Sequence, residues 1–124
     1  MGIMQDGIIG EQKLFKLLKE KGYDFFQPDA IGTKNNKLYL FEVKYQKRFK
    51  APPFDGHGLP KWQVDKRLEF EKKTGIKAIL VIFDKETNEI FWQYLSALEN
   101  DVKFDTRGKH PRRIYPIDNF VLIE

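Results

Sequence analysis

The run Ile76-Lys77-Ala78-Ile79-Leu80-Val81-Ile82-Phe83 constrains the fold more than any other stretch of the chain. A near-continuous apolar run of this length fits a strand covered on both faces. It follows Lys61 to Thr74, which reads as a helix with Pro60 at its start and Gly75 as its stop. A helix leading straight into a buried strand reads as a crossover to a parallel neighbour. On this helix Trp62, Leu68 and Phe70 are the apolar residues and are expected to face the core. Gln63, Lys66, Arg67 and Phe70 share one side at helical spacing.

Residues 28 to 44 supply the strands that such a crossover would join. They read as two short strands linked by a polar turn at Lys34 to Lys37, where Asn35 and Asn36 tolerate positive φ. The second strand alternates. Leu38, Leu40, Glu42 and Lys44 face one way, and Tyr39, Phe41, Val43 and Tyr45 face the other, where Tyr45 is expected to pack. A carboxylate and an ammonium therefore end one face of a core strand, and Asp29 begins the strand beside it. Two carboxylates and a lysine converging on a sheet edge can hold a divalent cation and a water.

The remaining segments frame this unit. Residues 7 to 21 read as a helix with Asp6 as N-cap and Gly22 as stop. Ile8, Glu11, Phe15 and Leu18 fall on one stripe, with Leu14 and Leu17 adjoining. Glu11 thus either finds a partner within the stripe or, if the helix frays at Gly10, faces water. Tyr23 to Phe26 reads as a short strand. Residues 46 to 60, with three prolines and two glycines, read as an irregular loop. There Lys47, Arg48 and Lys50 interleave with Phe49 and Phe54, a mixture suited to a nucleic-acid backbone and exposed bases. The two Phe side chains could equally pin the loop to the core. A turn at Asp84 to Asn88, a strand from Glu89 to Gln93 and a helical turn from Ser96 to Asn100 follow. Lys103 to Arg113 is basic and irregular, and Phe120 to Ile123 reads as an edge strand.

At 124 residues this is one domain, with a core at about 7–94 and a basic C-terminal extension at about 95–124. The net charge of +4 favours a polyanionic partner. The absence of cysteine excludes disulfides, thiol catalysis and thiolate metal sites. No apolar run approaches a membrane span and no signal-peptide pattern opens the chain, so the expected location is cytoplasmic. Met1-Gly2 suggests myristoylation, but Asp6 stands where that pattern wants Ser or Thr. His57 and His110 are isolated, without zinc-like spacing, and His57 reads as a solvated loop residue.

Pro28-Asp29 followed by Glu42-Val43-Lys44 resembles the signature of the PD-(D/E)xK nuclease superfamily. Acid-x-Lys also occurs at Glu11-Lys13, Glu71-Lys73 and Asp101-Lys103, but only Glu42-Lys44 ends a strand pattern behind a Pro-Asp. Glu71 and Lys73 sit in a charged helical stretch and read as solvated. Glu11 lies where many members carry a helical glutamate, and Gln63 where members often carry Gln or Lys. The small size and the basic loop look most like archaeal Holliday-junction resolvases and related phage or plasmid nucleases. The resemblance implies an α/β, restriction-endonuclease-like core: a central mixed sheet flanked by helices in α-β-β-β-α-β order. It implies an endonuclease that hydrolyses DNA phosphodiester bonds with Mg²⁺ or Mn²⁺, with branched DNA as one substrate and RNA left open. Asp29, Glu42 and the Val43 carbonyl would hold the ion, and Glu11 a water of that ion or a second one. Lys44 would position the water and stabilise charge. Gln63 would orient a ligand or touch the phosphate. Lys47, Arg48, Lys50, Lys61, Lys66 and Arg67 would hold the backbone, and a homodimer would supply two centres. The alternative is a non-enzymatic nucleic-acid-binding or regulatory module on the same fold.

Overall fold

The computed structural model describes residues 3–51 and 54–123. Met1-Gly2, Pro52-Pro53 and the Phe54 side chain lie outside the described part. Helix α1 (Ile3–Glu20) leads to strands β1 (Ala30–Lys34), β2 (Lys37–Gln46), β3 (Phe49–Ala51) and β4 (Phe54–Pro60). Helix α2 (Lys61–Thr74), β5 (Lys77–Asp84), β6 (Ile90–Tyr94) and α3 (Leu95–Glu99) follow. The chain ends in β7 (Phe104–Asp105), β8 (Arg112–Pro116), a 3₁₀ turn and β9 (Val121–Ile123). Among the described residues no helix is long and apolar enough to cross a membrane.

The result is a mixed α/β fold with two sheets. The central one has the order β1-β2-β5-β6-β9, and the second β3-β4-β8-β7. The hairpin at Lys34 to Lys37 forms as expected. Asn35 and Asn36 take φ of 53° and 64°, the pair of positive values that a two-residue hairpin turn needs. Helix α2 carries the chain across to β5, which pairs parallel with β2 and sets Glu42 opposite Leu80 and Lys44 opposite Ile82. Gly75 closes the helix at φ +75°, with its N–H donating to the Glu71 carbonyl at 2.7 Å. The core lies on one face of the central sheet. There Ala78, Leu80, Ile82 and Phe91 meet Val64 of α2, Leu95 and Leu98 of α3, and Leu59 and Tyr115 of the second sheet.

Residues 46 to 60 are not an irregular loop. They form β3 and β4, and β4 pairs antiparallel with β8. Gly56 and Gly58, read above as breakers, are what lets the strands close. A Cβ at Gly58 would lie 1.9 Å from the Arg113 carbonyl oxygen, and one at Gly56 2.1 Å from that of Tyr115. The C-terminal residues supply strands to both sheets. Tyr23 to Phe26 forms no strand. The strand at Ile76 to Phe83 exists, shifted by one residue, but its second face is covered only in part: Ile79 is buried, Val81 half-buried and Phe83 exposed. With Val43, Tyr45, Trp92, Val121 and Ile123 they leave an apolar outer sheet face. Tyr45 does not pack; its exposed ring lies under the Lys85 ammonium at 4.7 Å. Trp62 is exposed, because the inward stripe of α2 runs through Val64 and Arg67 instead. Glu71 is half-buried rather than solvated, and its carboxylate accepts the Ala78 N–H at 3.2 Å.

Candidate active site

The hairpin and α2 bring three of the expected residues, Asp29, Glu42 and Gln63, together, and Lys44 lies two positions further along the same strand face. Asp29 lies just ahead of β1 and is fixed by its own sheet: its Oδ2 accepts the Val43 N–H at 2.7 Å. Glu42 projects inward from the middle of β2 and is almost fully buried. Its Oε2 accepts a hydrogen bond from Gln63 Nε2 at 3.1 Å, and its Oε1 accepts one from Arg67 Nε. Burial raises the Glu42 pKa; Arg67 pulls it down, and the neighbouring Asp29 carboxylate raises it again. Asp29 and Glu42 are therefore a pair of carboxylates close enough to repel. Lys44 follows on the same face of β2, half-buried, and forms no ion pair among the described residues. Paired hard oxygen donors beside an unpaired lysine fit a hard divalent ion such as Mg²⁺ or Mn²⁺.

Glu11 is not brought to this pair. It stands exposed on α1, a helix whose apolar stripe is itself largely exposed and which meets the body through a Phe15–Phe25 stack at 5.2 Å. Among the described residues no three acidic or histidine side chains gather closely enough to hold an ion together.

The six basic residues expected to face nucleic acid divide. Arg67 is internal, between Glu42 and the Phe26 ring at 3.9 Å. Arg48 is held in the protein by Asp84 at 2.7 Å. Neither lies open to a phosphate backbone, because each is the counter-charge of a buried carboxylate. Lys50 pairs with Asp55 and Glu86, Lys61 with Asp105 and Lys66 with Asp24, all exposed or partly exposed pairs that water competes for. Lys47 is exposed and forms no ion pair among the described residues.

A second polar cluster went unforeseen. His57, far from being solvated, is fully buried on β4. Its Nε2 lies 2.9 Å from Asp84 Oδ2 and its Nδ1 3.0 Å from Gln46 Oε1. Asp84 Oδ1 accepts the Glu86 and Thr87 N–H groups. These donors outweigh burial and hold the Asp84 carboxyl well below the usual carboxylate range. Burial pushes the His57 imidazole down. The cluster ties the ends of β2 and β5 to the second sheet. The one sequence signal for it was a lone histidine between two glycines.

No family model matches the sequence, and no curated protein matches it. Among solved structures the chain is similar to Hjc, a Holliday junction resolvase from the archaeal hyperthermophile Archaeoglobus fulgidus. The TM-score is 0.51 at 16% identity, over 95% of this chain and 92% of that one. The likeness is one of fold. It is the mixed α/β fold, a central mixed sheet flanked by helices, that the sequence led us to expect, with Asp29 and Glu42 on its first two strands.

Proposed function

We propose that this chain is a metal-dependent endonuclease acting on DNA, with branched or junction DNA as its preferred substrate. The observation that carries this reading is the Asp29–Glu42 carboxylate pair with Lys44 on the same strand face, set in a fold shared with a junction resolvase. Asp29, Glu42 and the backbone carbonyl of Val43 would hold the ion. When bound, the ion supplies charge neutralisation at the phosphate and acidifies an attacking water. The chain's own residues do the rest. The Val43 N–H fixes one oxygen of Asp29 and leaves Oδ1 for a ligand. Gln63 orients Glu42 by donating to Oε2. Lys44, with no carboxylate paired to it among the described residues, positions the water and stabilises charge building on the phosphate. Lys47, Lys50, Lys61 and Lys66 hold the flanking backbone by exchanging exposed acidic partners for phosphates. A homodimer covering the apolar outer sheet face would place two centres on two strands.

The test is cleavage of linear duplex, single strand and four-way junction with Mg²⁺, with Mn²⁺ and with chelator, beside Lys44→Ala and Glu42→Ala. Metal-dependent cutting, strongest on the junction and lost in both variants, is expected. Cutting that survives both substitutions would place the chemistry elsewhere. One observation favours the non-enzymatic module: both Glu42 oxygens already have protein partners. That reading predicts salt-sensitive DNA binding, indifferent to metal, with no cutting.

A further inference from the structure

We infer that the centre takes one divalent ion per chain, and that Arg67 is the built-in charge that keeps a second one out. The inference deepens the nuclease reading and rests on it. Hydrolytic centres with two ions hold them about 3.5–4 Å apart and need enough carboxylate oxygens for both. Two independent features of this chain oppose that arrangement.

The first is the donor count. Asp29 and Glu42 form a pair, and no third acidic or histidine side chain joins them among the described residues. Glu11, the residue best placed in the sequence to be a third, is out on the exposed α1.

The second is Arg67 itself. Its side chain is 4% exposed, and its Nε donates to Glu42 Oε1. The guanidinium lies over the Phe26 ring, and Phe26 is held edge-on by Phe70 at 5.0 Å and 85°. The Nη1 atom is buried and has no hydrogen-bond partner among the described residues. The guanidinium is therefore seated by Glu42 on one side and an aromatic face on the other. It cannot shed its proton to make room for a cation. The formal charges of Asp29, Glu42, Arg67 and Lys44 already cancel. One divalent ion leaves a surplus of two positive charges, which an incoming phosphodiester and an attacking hydroxide would offset, whereas a second ion would face two fixed cations with no further anion to offset it. Displacing Arg67 from Glu42 would strand a buried guanidinium without a counter-ion.

The experiment is Mn²⁺ binding to DNA-free protein, counted by isothermal titration calorimetry and by the electron paramagnetic resonance signal of free Mn²⁺. Wild type, Arg67→Lys and Arg67→Met are compared, with circular dichroism to confirm folding. The expected result is one ion for wild type and for Arg67→Lys. Arg67→Met should bind a second ion, or bind its first at least about tenfold tighter. Two ions on wild type would overturn the inference and leave the nuclease reading standing. An Arg67→Met variant that is folded and binds as wild type does would overturn the role given to Arg67. No binding to any of the three proteins would overturn the inference and metal dependence together. If Arg67→Met fails to fold, Arg67→Gln, which keeps an N–H donor for Glu42 without the charge, takes its place with the same expected result.

Discussion

Replacing Asp84 by Asn tests whether the cluster joining the two sheets carries the weight that its geometry implies. Asp84 is fully buried; it accepts from Arg48 Nε at 2.7 Å and from the Glu86 and Thr87 N–H groups at 2.8 and 3.1 Å, and His57 Nε2 lies 2.9 Å away. Asn keeps the shape and one acceptor, so the two backbone bonds survive. Its amide presents donors to Arg48, which is itself a donor, and suits His57 only in the tautomer whose Nε2 accepts. Removing one partner from a buried ion pair costs about 3–5 kcal/mol. The Arg48 side chain is 20% exposed and recovers some hydration, so about 3 kcal/mol is the working figure. With a urea m-value of about 2 kcal/mol/M, the midpoint falls by about 1.5 M. The melting temperature falls by about 12 °C. Equilibrium urea unfolding at pH 7, followed by tryptophan fluorescence, reads the shift. A shift below about 0.3 M would refute the reasoning. A double-mutant cycle with Arg48→Met sharpens the test: the two losses should overlap by about 1–2 kcal/mol. Additive losses would mean that the pair does not act as a unit.

Other predictions follow from the same coordinates. Gly58→Ala should break the β4–β8 pairing, since its Cβ would fall 1.9 Å from a carbonyl carbon's oxygen; loss of soluble folded protein, read by circular dichroism, is expected. Asn36→Gly should be neutral or stabilising by a few tenths of a kcal/mol, and Asn36→Val destabilising by about 1–2 kcal/mol, because φ is 64° there; thermal melts separate the two. Stability should fall as the pH drops below the ordinary imidazole value of about 6.5, because the unfolded His57 imidazole takes up a proton that the buried one resists. The same sign holds for Asp84, whose stabilisation is complete above its ordinary value near 4 and is lost only in stronger acid. His57→Gln should flatten the first of these slopes in urea titrations repeated across pH.

What could be read from the residues was what neighbours in sequence decide. Asn35-Asn36 announced a hairpin, Gly75 a helix stop and the apolar run after it a central strand. The alternation through Glu42 and Lys44 placed both on one strand face. Partnerships across long separations were silent. Nothing near Arg67 says that it will meet Glu42 rather than solvent, because the meeting depends on where α2 lands after the crossover. Gly56 and Gly58 carry opposite meanings in a loop and in a strand. Only β8, arriving from the far end of the chain, decides between them. His57 was misread with them, since its burial is a consequence of that pairing. Trp62 and Arg67 exchanged their expected places for the same reason: the face of α2 that turns inward is chosen by the sheets, not by the helix.

The slight attachment of α1 has an energetic consequence. Segments that bury little apolar surface open at a small fraction of the global unfolding free energy. With Ile8, Ile9, Leu14 and Leu17 all exposed, α1 should open on its own, and its amides should exchange with deuterium long before those of β2 and β5. Asp29, Glu42, Lys44 and Gln63 belong to the hairpin and α2. They would keep their arrangement through every such opening, so the first helix can come and go while the Asp29–Glu42 cluster stays assembled.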